Sequence, residues 1–202
     1  MTLEQLYAAI DLVRCSRYRS TAPEATMLRT YPVLVSAAQL PAANPLESFL
    51  RTASLAYAWM PQALRLDSAH LTAAAAVLEG VRGDSPAISE GVIDPIAACL
   101  GSLVGASKVL HLANPAVFPL WNEGLEGFRL QEPPSAYHMG QSRSYLGFID
   151  EVRDLSTHPL FLTFHHDYCT AFQARLQRLG IPPYPLTEPR VIESAVAELA
   201  AG

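Results

Sequence analysis

One amine in the chain has the setting of a reactive group. Lys108 is the only lysine, and arginine supplies all the other basic residues. It lies in the stretch "GASKVLHLANPAVFPLWNEG", where Gly105 to Ser107 predict a short junction between two helices. The start of the second helix and its apolar neighbours would both favour the neutral amine, the form that attacks a carbon centre. The alternative is a partly buried stem whose ammonium group reaches water.

Two histidines and a cysteine are the candidate metal ligands. On a helix, His165 and His166 lie four and three residues before Cys169, so either histidine can share a face with the thiol. A zinc site needs three or four ligands, and a third would have to come from elsewhere, such as His111 or His138. The alternative is one histidine bonded at the edge of the core and one exposed. We therefore expect no metal and no cofactor.

Three arginines form the densest basic cluster. Arg14, Arg17 and Arg19 fall within the stretch "RCSRYRS". They are candidates for contact with a phosphate or a carboxylate. The alternative is a solvated helix end whose positive charges complement the helix dipole. The net charge of -5 argues against broad, charge-driven binding to nucleic acid or anionic membrane, but it leaves a local patch possible.

The spacing of apolar residues indicates that helices position these groups. A clear example begins at Asn44, which precedes a proline and is followed by Glu47, as in a capped helix start. Apolar residues then recur every three or four positions and form one buried stripe. Because Pro61 has no backbone N–H, we expect this helix to end at Trp59 or Met60.

The helices on either side of the lysine are predicted from glycine, serine and proline. We expect Gly105 to end one helix in a left-handed conformation and Ser107 to cap the next. Asn114 and the proline after it should stop that second helix. The following residues 116–140, which contain several prolines, should be irregular.

The whole pattern predicts an all-α fold of about eight or nine helices. Its helix-loop-helix junction should lie near residues 101–114. Residues 1–180 should form the main helical domain. Residues 181–202 should add a proline-rich connector, "IPPYPL", and a C-terminal helix that packs on that domain.

Residues 103–125 resemble the helix-hairpin-helix DNA glycosylases. In that superfamily a glycine-containing hairpin grips a DNA phosphate, the following helix can carry a lysine nucleophile, and an aspartate assists after a short apolar run. Gly105 resembles the second hairpin glycine, and Lys108 lies near the nucleophile position. Leu103 stands at the first glycine, and Asn122 stands where the aspartate is expected, with Glu123 beside it.

The resemblance implies a protein associated with DNA or a nucleotide-like ligand. Lys108, Asn122 and Glu123 become the candidate catalytic residues, although an asparagine implies a relative without lyase activity. Base-excision chemistry also needs a pocket for a flipped base. Trp59 and Trp121 are aromatic candidates for lining it, the alternative being a place in the core. The resemblance and the charge pattern also nominate further candidate binding residues. They are Gly105, Ser107, His111 and the clustered Arg14, Arg17 and Arg19.

Composition limits the other function classes. The chain has 202 residues, of which 50% are apolar and 16% charged, so disordered and fibrous classes are excluded. No uninterrupted apolar run is long enough for a membrane span, and three scattered cysteines predict reduced thiols in a cytoplasmic protein. The alternative function is a non-catalytic helical module that binds another protein or its own copy. Its natural contacts would be "IPPYPL" and the exposed end of the last helix.

Overall fold

The protein folds into helices throughout the part of the chain that the structure describes. The computed structural model describes residues 1–19, 21–60 and 62–200, and the all-α prediction is confirmed for them. Those ranges hold eleven helices. In chain order they are α1 Leu3–Cys15, α2 Pro23–Ala38, α3 Pro45–Ala58, α4 Leu71–Gly80, α5 Glu90–Leu100, α6 Leu103–Ala113, α7 Glu123–Leu130, α8 Ala136–Met139, α9 Ser142–Ser156, α10 Phe161–Arg178 and α11 Glu188–Ala200.

The helix count exceeds the predicted eight or nine because capped short helices were missed. The segment 116–140 was expected to be irregular, yet it holds α7 and α8. The Asn122 side chain accepts the N–H of Leu125 at 3.0 Å. The Ser135 hydroxyl accepts the N–H of His138 at 3.1 Å. Each cap satisfies a backbone donor at a helix start, which lets a short helix form between prolines.

Helix α3 follows its local signals. The Asn44 side chain accepts the N–H of Glu47 at 2.9 Å, which confirms the predicted start. The helix ends at Ala58. Pro61, from which the end was predicted, lies outside the described residues. One face of α3 is buried against α4 and α6.

The junction before α6 lies within the predicted region 101–114, but the glycine that ends α5 is Gly101, four residues before the predicted Gly105. Helix α5 ends at Leu100, and Gly101 adopts the left-handed conformation with φ of 60°. Glycine adopts this conformation without the strain of a Cβ atom. Ser102 then caps α6, its hydroxyl accepting the N–H of Gly105 at 3.0 Å. Gly105 therefore lies in the first turn of α6, and Lys108 lies in the second, not at the helix start.

The terminal helices complete the core. Helix α1 packs on α10 and α11, and α11 also contacts α7 and α9. The connector "IPPYPL" buries Ile181 and Leu186, while its three prolines are exposed. The Tyr184 hydroxyl donates to the carbonyl of Leu28 at 3.1 Å. The connector is thus held against α2, and the domain division at residue 180 stays a prediction.

Helices α5 and α6 form a bent pair and pack against each other. The angle between them is 116°. Within the described ranges no single helix is long and apolar enough to cross a membrane. The bent pair passes this test of length and composition when its two helices are taken together. Helix α6 also packs on α3 and α2, so most of its side chains are buried inside the protein.

Candidate functional site

A hydrogen bond joins the two segments that carry the predicted catalytic residues. Ser107 is fully buried and lies in the middle of α6, so it does not cap the helix. Its hydroxyl lies 2.8 Å from the carbonyl oxygen of Val104 and 3.2 Å from that of Trp121. Lys108 and Asn122 are the next residues in their respective segments. The fold therefore brings these two segments together.

Lys108 is half-buried and has no hydrogen bond or ion pair with any residue in the described ranges. Burial lowers the pKa of its ammonium group below the ordinary 10.5. Since Lys108 lies in the second turn of α6, the helix dipole adds little to this shift. The amine is therefore somewhat easier to deprotonate than an exposed lysine.

Asn122 and Glu123, the residues expected to assist the lysine, lie at the start of α7 and stabilise it. Asn122 is exposed and caps α7 through its side-chain oxygen, which accepts the N–H of Leu125. Glu123 is exposed at the first position of α7, where a negative charge complements the helix dipole. An amide that already caps a helix supplies no general base.

Trp121 is a core residue and not a pocket wall. It is fully buried, and its indole N–H donates to Glu126 at 2.9 Å. Arg129 and His138 also hydrogen-bond to this buried carboxylate, at 2.9 Å and 2.5 Å. Burial alone would raise the pKa of Glu126, but the hydrogen bonds from Arg129, Trp121 and His138 bring it below its ordinary value. The charged carboxylate holds α7 and α8 together around the indole.

His111 belongs to a second buried polar network. Its Nδ1–H donates to the carbonyl of Phe118 at 2.7 Å, and its Nε2 accepts from the Tyr31 hydroxyl at 2.9 Å. Burial, with a smaller effect from the Arg190 charge, lowers the pKa of His111 to about 3. The carboxylate of Glu193 lies 3.9 Å from Nδ1. A neutral imidazole with both nitrogens bonded inside the protein offers nothing to an external ligand.

We predict that the His111 imidazole stays neutral down to about pH 4. The unfolded chain takes up this proton near 6.5 and the folded chain near 3. Between these values the unfolded state binds more protons, so stability falls as the pH falls, by up to about 1.4 kcal/mol per pH unit. Nitrogen-15 NMR of the imidazole, assigned with His111→Gln, measures the protonation state. An imidazolium signal near pH 6 would contradict the prediction.

Trp59, the other aromatic candidate, packs on Tyr31, which belongs to the network around His111. Trp59 is half-buried, stacks on Tyr31 with ring centroids 5.5 Å apart, and donates its indole N–H to Thr30 at 3.2 Å. Both the ring face and the nitrogen of Trp59 are thus used within the fold. Trp59 and Trp121 do not meet in one pocket, because they belong to separate hydrogen-bonded clusters.

A cavity of about 350 Å³ lies beside the α5–α6 junction. It is lined by Tyr57, Gln62, Ala63, Arg65, Leu100, Gly101 and Ser102. Arg65 is exposed and places a positive charge near the start of α6. The N–H of Asp67 donates to the carbonyl of Cys99 at 2.8 Å, which holds this loop at the end of α5. We call this space the hairpin cavity.

Gly105 packs behind Tyr57 and Ser102, two residues that line the hairpin cavity. A Cβ atom at Gly105 would lie 2.8 Å from the Tyr57 hydroxyl, and 3.3 Å from the side chain of Ser102. This glycine therefore allows Tyr57 to pack close to the first turn of α6. Sequence reasoning missed Gln62 and Arg65, since they reach the junction through contacts between distant parts of the chain.

The clustered arginines lie elsewhere. Arg14, Arg17 and Arg19 are exposed at or after the end of α1, which packs on α10 and α11, whereas α6 packs on α5, α3 and α2. Arg14 pairs with Asp11 at 3.3 Å. None of the three lines the hairpin cavity. The structure therefore does not bring them to the segment that carries Lys108.

The candidate metal ligands form only a pair. The Cys169 sulfur lies 3.9 Å from the imidazole of His165, and His166 is exposed. Burial raises the pKa of the Cys169 thiol, which disfavours the thiolate that binds metals. Across residues 1–19, 21–60 and 62–200, no group of three suitable side chains could hold a metal ion.

Comparison with protein-family models, curated proteins and solved structures found no match for this chain. The resemblance to helix-hairpin-helix glycosylases therefore stays a prediction.

Proposed function

We propose that this protein binds the phosphate backbone of a nucleic acid through the α5–α6 hairpin and catalyses no lyase reaction. The hairpin cavity is the observation that carries the proposal. The first N–H groups of a helix have no partner within the helix, and they attract anions. The Ser102 hydroxyl accepts the N–H of Gly105, whereas the N–H groups of Leu103 and Val104 precede the first intrahelical bond. Arg65 adds a full positive charge at the same place.

The contact should be small and local. The net charge of -5 disfavours a broad electrostatic surface. A hairpin that holds one or two phosphates releases few counterions, so the slope of log affinity against log salt should be only about -1 to -2. Lys108 then serves as a half-buried charge near the site. Asn122 caps α7 and supplies no base, so strand cleavage is not expected.

Arg65→Gln should weaken binding of a short DNA duplex several-fold, because one phosphate contact is lost. The salt slope should become shallower by about 1. Fluorescence anisotropy at several salt concentrations measures both. Arg153→Gln removes the same charge from an exposed position at the end of α9 and should leave affinity and slope unchanged. Equal binding by Arg65→Gln and the wild type would contradict the proposal.

Borohydride trapping on abasic DNA tests the absence of lyase chemistry. We expect no covalent adduct with the wild type. An adduct that disappears in Lys108→Ala would show an amine nucleophile and overturn the non-catalytic part of the proposal. Such an adduct would leave the phosphate contact at the hairpin standing, since Arg65→Gln tests that part separately.

A second candidate function is self-association through an apolar surface. Leu160 and Leu162 are 57% and 76% exposed at the start of α10. Leu160 also borders an open groove of about 640 Å³, together with Leu3, Tyr7 and Leu155. Exposed apolar side chains beside a groove are typical of protein contacts. A chain that binds no DNA but forms dimers in light-scattering measurements would favour this candidate.

A further inference from the structure

A second polar cavity lies where the ends of α1 and α10 meet, away from the hairpin. Its volume is about 280 Å³, just below the roughly 300–1,000 Å³ typical of sites for drug-sized ligands, so it suits a small ligand. It is lined by Ser16, Arg17, Tyr18, Arg175, Arg178 and Leu179. All its charged lining residues are arginines. We call it the arginine cavity.

Arg175 forms a rigid wall of this cavity. Its side chain is only 3% exposed and forms a two-pronged ion pair with Glu198, through both terminal nitrogens. Its guanidinium carbon lies 5.1 Å from the centre of the Tyr18 ring. The remaining nitrogen, Nε, is buried and has no hydrogen-bond partner among the described residues. The positive charge is therefore held in place before any ligand arrives.

Arg178 is fixed as well but keeps donors free. Its Nη2 donates to the carbonyls of Val13 and Arg14, at 3.1 Å and 3.2 Å, and this ties the end of α10 to the end of α1. Its other nitrogens make no hydrogen bond within the described ranges. Arg17 is exposed and likewise unpaired with any described residue. Two guanidinium groups thus present unused N–H donors beside one space.

The local charge balance favours an anion. Against the three arginines stand Glu198, which pairs with Arg175, and Glu24, whose charge also acts on Tyr18. The three lining arginines, together with Arg29, whose guanidinium donates to the carbonyl of the lining Leu179 at 2.9 Å, outnumber these two glutamates. The ends of α1 and α10 contribute carbonyl dipoles of the opposite sign, but Arg178 satisfies two of those carbonyls. The unused donors therefore remain for an external partner.

We propose that the arginine cavity binds the phosphoryl group of a small phosphate ester. Guanidinium groups present paired donors that match phosphate oxygens, and they are less strongly hydrated than ammonium groups. The Tyr18 hydroxyl can add a neutral donor. The phosphoryl group could belong to a free metabolite or to the terminal phosphate of a nucleic acid. No residue is shared with the hairpin cavity, so this proposal stands apart from the proposed function.

Isothermal titration with inorganic pyrophosphate tests the proposal on the full chain. We expect saturable binding by the wild type and a loss of affinity of at least about tenfold in Arg17→Gln, since a charge-assisted hydrogen bond is removed. Arg17 is exposed, so this variant should fold normally. Arg14→Gln removes the same charge three residues away, outside the cavity lining, and should bind as the wild type does.

Competition identifies the source of the phosphoryl group. Displacement of pyrophosphate by a 5′-phosphorylated oligonucleotide, but not by its 5′-hydroxyl counterpart, would assign a nucleic-acid end. Displacement by glycerol 3-phosphate, but by neither oligonucleotide, would assign a free phosphate ester. Absence of saturable pyrophosphate binding, or an equal loss in Arg14→Gln, would overturn the proposal. Arg65→Gln should leave pyrophosphate affinity unchanged, which separates this result from any failure at the hairpin.

Discussion

Glu193→Ala is expected to lower the free energy of unfolding by about 3–5 kcal/mol. Glu193 is 1% exposed, accepts the N–H of Leu120 and pairs with Arg190. Arg190 also lies over the ring of Tyr31, with its guanidinium carbon 4.4 Å from the ring centre. Removing the carboxylate leaves a largely buried guanidinium without its counter-charge and a backbone donor without an acceptor. Both losses lower the free energy of unfolding.

Urea denaturation of the wild type and the variant measures this loss. Glu188→Ala is the matched control, because Glu188 is an exposed glutamate in the first turn of the same helix, α11. That substitution should cost no more than about 1 kcal/mol, the usual size of a charge–dipole interaction. Glu193→Gln keeps an acceptor for Leu120 and should fall between the two. A loss below about 1 kcal/mol in Glu193→Ala would mean that Arg190 finds another partner.

Helix α3 shows what local sequence signals predict well. An asparagine cap, a proline in the first turn and an apolar stripe all lie within one short stretch of chain. Each acts on backbone groups a few residues away, so no distant contact is needed to interpret them. The all-α class follows from the same periodicity repeated along the chain. Such signals missed α7 and α8, which are too short to show a periodic stripe.

The junction before α6 shows where local signals become ambiguous. Gly101 and Gly105 are four residues apart, and a serine that can cap a helix follows each within two residues. Only the backbone geometry decides that Gly101 takes the left-handed conformation while Gly105 stays helical. The close packing of Tyr57 on Gly105 supports this choice, and it comes from another helix. The position of Lys108 within α6 therefore could not be predicted from the sequence.

Arg178 of the arginine cavity and the buried Glu193 were missed for a similar reason. Arg178 bonds the carbonyl of Val13 across 165 positions of sequence, and Glu193 bonds the N–H of Leu120 across 73. An arginine near a helix end is ordinarily interpreted as a response to its own helix dipole. Its bond to a carbonyl of another helix depends on which helix ends meet in the fold. Tertiary packing determines which ends meet, and the apolar pattern of the sequence does not specify it.

Trp121→Ala is expected to lower the free energy of unfolding by about 3–5 kcal/mol, the usual range for truncating a buried aromatic residue. Trp121 is fully buried, and its ring packs against Tyr145 with centroids 5.5 Å apart. The substitution also removes the indole donor from Glu126. Trp59→Ala is the matched control. Since Trp59 is only half-buried, its loss should be clearly smaller.

Combining stability with DNA binding separates a core role of Trp121 from a role in holding a flipped base. If Trp121 is core, Trp121→Phe should recover much of the stability, and the folded variant should bind DNA as the wild type does. If Trp121 instead stacks on a base, its variants should lose about 1–3 kcal/mol of binding with little change in stability. The hydrogen bond from the indole to the buried Glu126 carboxylate favours the first outcome, because a ring that moved toward DNA would leave that charge without one of its donors.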